Sequence, residues 1–279
     1  MFLKMKSEKI NADPQSPMHR HHEESIKNLA AYFQDDPGVL AVVLGGSVAK
    51  GLARPDSDLD ALVVVTDEKL DRVTREGRLS ECVTGHCTYE GGYFDIKYMS
   101  LGFLRAVMEN GSEPSRNAWV GARCLFSRVP EITGLIPKIG VFQESERADK
   151  MLSFYSALSL NVHYFWRLSE GNAYLRVRAA TDIVLFGLRM LLQEAGVLFS
   201  CHKSLELQVA ALPEKPAGIL DKSRRLLAEF SDDAMRDFAD AVNAFITYKP
   251  PENFSVILSR YVEDNELWWH KQRPVIAEW

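Results

Sequence analysis

Three acidic residues and a glycine-serine corner are the part of this sequence whose residue types and spacing could do chemistry. Asp58 and Asp60 stand two apart, which on a strand turns both side chains to one face with Cα atoms about 6.5 Å apart. Two bare carboxylates so close repel by about 4 kcal/mol at ~4 Å and an effective dielectric of ~20, so a divalent cation is the natural resolution. Asp95 is the acid inside the apolar run Tyr93-Phe94-Asp95-Ile96, where a charge is costly unless paired or metal-bound. Gly46 lets the backbone approach a ligand closely, and Ser47 opens a short helix whose free N–H groups suit a phosphate. If the strand carrying Asp95 pairs beside the one carrying Asp58 and Asp60, three carboxylates face one point next to a phosphate seat. That is the layout for two-metal phosphoryl or nucleotidyl transfer. The bland alternative is a plain strand-turn-helix at Gly46-Ser47, turn and cap residues at 56–58, and a satisfied buried carboxylate at Asp95.

The elements that must position these residues are legible as hydrophobic pattern. Residues 39–44 form an unbroken aliphatic run closed by Gly45-Gly46, which predicts a strand buried on both faces. A second strand is expected over 58–65, a third over 93–99 and a fourth over 122–127, with helices over 23–33 and 67–75. Residues 129–138 hold two prolines and a glycine and read as a connection. Beyond residue 144 the pattern turns to long helical periods over 150–168, 174–199, 204–212, 220–230, 232–247 and 254–269. The expected organisation is a flexible tail over 1–22, a catalytic α/β (α+β) domain with a mixed sheet over 23–145, and an all-α helical bundle over 146–279 that binds substrate. Its active site is expected in the cleft between the two domains.

Composition narrows the class. The chain has 279 residues, 46% hydrophobic and 25% charged, with a formal net charge of −5, values of an ordinary globular protein. The acidic balance argues against gripping long nucleic acid, which needs clustered Lys and Arg. No run approaches the ~18 apolar residues of a membrane span, and residues 1–9 lack the apolar region of a secretory signal. The cysteines Cys82, Cys87, Cys124 and Cys201 form no CxxC pair, so a reducing cytoplasm is the expected home. Leu52 stands where a P-loop needs its lysine, and GxSxG, HExxH and GxGxxG are absent.

The segment Gly46-Ser47 to Asp58-Leu59-Asp60, with Asp95 as third acid, resembles the signature of the DNA polymerase beta-like nucleotidyltransferase superfamily. The wording Gly46-Ser47-Val48-Ala49-Lys50-Gly51 before Arg54-Pro55-Asp56-Ser57-Asp58 is most similar to its antibiotic (aminoglycoside and lincosamide) nucleotidyltransferase branch. The resemblance implies that Gly46 and Ser47 bind the β- and γ-phosphates of ATP or another nucleoside triphosphate, and that Asp58 and Asp60 ligate two Mg²⁺ ions. Asp95 would share a metal and act as base toward the acceptor hydroxyl. Lys50 stands where relatives often carry arginine and keeps the charge without the bidentate fork. Lys203 sits where relatives often carry a lysine that reaches the phosphates. The implied reaction moves an NMP, with AMP from ATP the expected case, to a hydroxyl of a small molecule such as an antibiotic and releases pyrophosphate. A protein acceptor, as in a modifying antitoxin, and a nucleotide-binding module without turnover are the alternatives. A monomer or homodimer is expected. Arg178, Asp182 and Arg189 fall within about 40° on one helical wheel, and either line the cleft or form an internal network. Trp268-Trp269 is expected to pack between helices.

Overall fold

In the computed structural model, which describes residues 18–271 and 273–279, five strands form one sheet in the order β3-β4-β2-β1-β5. These are β1 (Val39–Leu44), β2 (Leu59–Val65), β3 (Ser80–Thr84), β4 (Tyr93–Ser100) and β5 (Arg123–Ser127). The sheet is mixed. β1 runs antiparallel to β2 and β5, β3 runs antiparallel to β4, and β2 pairs in parallel with β4. β1 and β2 are buried along nearly their whole length, as the apolar run of β1 and the run 61–65 of β2 require of central strands covered on both faces.

Two hydrophobic layers flank the sheet. On one face Val42, Leu44, Leu59, Ala61 and Val63 pack with Leu29 and Phe33 of α1 (Arg20–Gln34) and Val73 of the Asp67–Arg75 helix. On the other, Ala41, Val43, Leu62 and Val64 pack with Leu104 and Val107 of the Leu101–Asn110 helix and with Ile132, Leu135, Ile136 and Ile139 of the Pro130–Ile139 helix. The chain groups into two compact units. The first takes the residues up to Glu109 together with Ala118–Gly140, and the second takes Asn110–Asn117 and Val141–Trp279.

Several expectations are corrected. Residues 129–138, read as a connection, are a helix: Pro130 sits at the first turn, where its missing N–H is no loss, and Ile132, Leu135, Ile136 and Ile139 fall on one buried face. Of the expected 1–22 tail, residues 1–17 lie outside the described residues. Residues 20–22 belong to α1, because the side chains of His21 and His22 are tied to backbone carbonyls. Asp58 immediately precedes β2, which starts at Leu59. Trp268 and Trp269 stand 39% and 67% exposed rather than packed between helices.

The second unit is helical. Its longest helix, Ala173–Glu194, is buried on nearly every side from Ile183 to Gln193, the signature of a central element. Arg189 is fully buried there and belongs to an internal network centred on Glu113 of the short Glu113–Asn117 helix. Glu113 accepts from Lys150 at 3.0 Å, Arg189 at 3.1 Å, the Phe199 N–H at 3.0 Å and Gln193. Arg178 is exposed and pairs with Asp182 at 2.8 Å, one turn along its own helix. Among the described residues no helix is long and apolar enough to cross a membrane.

Candidate active site

The candidate site is built where β1 ends and where β2 and β4 begin. Because β2 and β4 run in parallel, Asp60 falls directly opposite Asp95 in the register. That pairing turns both side chains to the same face with backbones about 4.8 Å apart. On the other side of β2, the Gly45 N–H donates to the Asp60 carbonyl at 2.9 Å. This carries the chain from β1 straight over Asp60 into the four-residue helix Gly46–Ala49.

Gly46 is required twice. Its φ is +64°, in the left-handed region that L side chains avoid. In addition, a Cβ there would lie 1.7 Å from Asp60 Oδ2. The carboxylate of Asp60 therefore rests on the glycine backbone, and the corner and the acid form one unit. The helix Gly46–Ala49 is too short for an appreciable macrodipole. What it offers an anion is the set of N–H groups in its first turn, which have no intrahelical partners.

The electrostatics of the acids are mutual. Burial, and then the Asp58 carboxylate, push the Asp60 carboxyl above the usual carboxylate range. Asp95 adds to the push, while Lys97 and Lys50 oppose it. Lys97, two residues past Asp95 and on the same face of β4, sits 2.9 Å from Asp95 and 3.8 Å from Asp60. Burial works against its charge, but the hydrogen bond to Asp95 and the attraction of all three aspartates outweigh it and raise its pKa. The Tyr93 phenol stands near Asp58, and burial, then the Asp58 carboxylate, raise its pKa.

The donor set suits a divalent cation. It consists of hard carboxylate oxygens, one of them held above its ordinary pKa by burial and then by the negative charge of its neighbours. In this structure Lys97 supplies the positive charge they require. Among the described residues no three His, Cys, Asp or Glu side chains stand gathered as a ready metal cage.

The structure thus brings Gly46, Asp60 and Asp95 together in contact or register, with Asp58 and Lys50 acting on Asp60 through their charge. Ser47 follows Gly46 in the same short helix. Lys203 is exposed on the single turn His202–Ser204 of the second unit. Lys97 and Tyr93 were not anticipated from the sequence. The signal for Lys97 was the period of two that places residues 95 and 97 on one strand face.

A comparison with curated proteins finds no match. Among solved structures, the chain is similar to a nucleotidyltransferase-like protein from Exiguobacterium sibiricum at 12% identity and a TM-score of 0.47, covering 90% of this chain and 79% of that one. Residues 26–89, which run from α1 through β1, the Gly46 corner and β2 to the loop before β4, match the family model of the nucleotidyltransferase domain.

Proposed function

We propose that the chain is a metal-dependent nucleotidyltransferase that moves an NMP, AMP from ATP, to a hydroxyl of a small acceptor, with pyrophosphate as the other product. The observation that carries this reading is Asp60, packed on the Gly46 backbone and in register with Asp95, with Gly46 and Asp60 inside the segment that matches the nucleotidyltransferase domain. Asp58 and Asp60 would hold Mg²⁺, with Asp95 sharing it. Bound there, the metal would orient the triphosphate and offset charge on the departing pyrophosphate.

The chain's own groups carry the remaining roles. Gly46 and Ser47 present N–H donors to the terminal phosphates, and Lys50 adds positive charge beside Asp60. Asp95 accepts the proton of the acceptor hydroxyl as its oxygen attacks the α-phosphorus. A new oxygen–phosphorus bond forms there, the bond from the α-phosphorus to the bridging oxygen breaks, and that oxygen leaves with the pyrophosphate. Lys97 must release Asp95 for this step. Its ion pairs also favour a second reading, a nucleotide-binding module without turnover in which the lysine permanently replaces the metal.

One assay separates the two. Full-length protein is incubated with α-labelled ATP, Mg²⁺ and a panel of aminoglycosides, lincosamides and candidate proteins. Transfer of label with matching pyrophosphate release, abolished in Asp60→Ala and Asp95→Ala, is the expected result. ATP binding without release in any arm selects the second reading.

A further inference from the structure

We propose that the N-terminus of α1 is a latch for the loop that presents Asp58, with His22 as its positioning residue; this rests on the reading of Asp58 as a ligand of the reaction's metal. The loop between the Gly46–Ala49 helix and β2 has no regular structure over residues 52–58 apart from a turn at 55–56. Something outside it must fix its backbone. Three side chains do so at two carbonyls. His21 Nε2 meets the Pro55 carbonyl at 3.0 Å, His22 Nε2 meets the Ser57 carbonyl at 3.1 Å, and the Tyr89 hydroxyl donates to that same Ser57 oxygen. The Ser57 N–H and hydroxyl are used inside the loop, at the Arg54 carbonyl and N–H.

A carbonyl oxygen only accepts, so His22 is the tautomer that carries its proton on Nε2. Its other nitrogen, Nδ1, is buried and has no hydrogen-bond partner. Burial, and then His21 beside it at 4.4 Å between ring centroids, lower the pKa of His22 and keep the ring neutral. An imidazole with no surface exposed and one nitrogen idle is a poor space-filler; what distinguishes it from an apolar side chain here is the N–H given to Ser57.

The latch is itself anchored. Ser25 and Thr88 hydroxyls both donate to the His21 carbonyl, at 2.7 and 3.0 Å, and the Thr88 N–H donates to Ser25 Oγ at 2.9 Å. Helix, 88–89 segment and loop therefore close a ring of bonds. The Ser57 carbonyl belongs to the rigid peptide plane that ends at the Asp58 Cα, and β2 begins one residue later. Asp58 is held between a clamped plane and a strand, which fixes where its carboxylate can reach.

The test uses the full chain and two readouts: Mn²⁺ binding followed by electron paramagnetic resonance, and amide hydrogen exchange of residues 52–58 without metal. His22→Ala is expected to weaken Mn²⁺ binding about tenfold and to speed loop exchange. His22→Gln, whose amide N–H can reach the same carbonyl, restores both. Tyr89→Phe, which removes the second donor and keeps the ring, shifts both in the direction of His22→Ala. Equal effects of His22→Ala and His22→Gln, or loop exchange unchanged in His22→Ala and Tyr89→Phe, would overturn the latch. Absence of Mn²⁺ binding in the unaltered protein counts against the metal reading alone, and the exchange data still decide the latch.

Discussion

At the scale of single residues, Asp60 is a site where stability is given up. Its carboxyl is held above the ordinary value of 3.8 by burial and by Asp58, so the folded protein binds that proton more tightly than the unfolded chain does. The sign follows: the contribution to stability is complete below pH 3.8 and is lost as pH rises through the folded-state value, leaving a penalty at neutral pH. Asp60→Asn removes the ionisation and is expected to raise the Tm of the metal-free protein at pH 7, by about 2–4 °C for each kcal/mol relieved. The gain should shrink as the pH is lowered toward 4. A calorimetric scan at both pH values checks this, and a variant no more stable than the parent at pH 7 contradicts it. The acids and the glycine corner were legible in the sequence because a charge inside an apolar strand and a Gly-Ser at a strand end are both unusual. Lys97 and Tyr93, on the open face of the same strand as Asp95, were not, because a long lysine reaches solvent and a tyrosine tolerates half-burial, whereas a short carboxylate does neither. The latch histidines were invisible for a related reason: their partners are carbonyls more than thirty residues away.

At the scale of elements, the central strands announced themselves and the edge did not. β1 is a continuous apolar run and β2 is one apart from Asp60, whereas β3 is the polar stretch Ser-Glu-Cys-Val-Thr, paired on one side only with β4 and alternating exposed with half-buried, so its sequence carries no core signal. The parallel pairing of β2 with β4 was a conditional in the sequence; the register makes it a fact. The Pro130–Ile139 helix was masked by its two prolines and glycine, although four isoleucine and leucine positions on one face outweigh them. Ile132, fully buried against the sheet, measures that helix's role. Its replacement by alanine should cost about 2–5 kcal/mol in urea unfolding; a loss under about 1 kcal/mol would mean the helix is incidental to the core.

At the scale of the molecule, each unit has its own core, and the second is organised around charge as well as oil. Glu113 is buried completely, as are Arg189 and Lys150 to within 1%, and both cations bond to it. Taking the acid away leaves two buried positive charges without their shared partner, so Glu113→Ala is expected to destabilise the protein by about 3–5 kcal/mol. A parallel Glu113→Gln keeps the shape and loses the charge. Chemical denaturation of both variants checks the prediction, and a Glu113→Ala protein within about 1 kcal/mol of the parent would show that the network is solvated in solution.

Glu113 also has an unusual address along the chain. The segment Asn110–Asn117 belongs to the helical unit, yet it is inserted between the Leu101–Asn110 helix and β5 of the other. Swapping the part of the helical unit beyond residue 141 for that of a relative by one crossover would leave eight residues behind with the wrong parent, parting Glu113 from Lys150 and Arg189. A hybrid that exchanges both stretches at once keeps the buried acid with its two cations and is expected to be the more stable of the two designs in chemical denaturation.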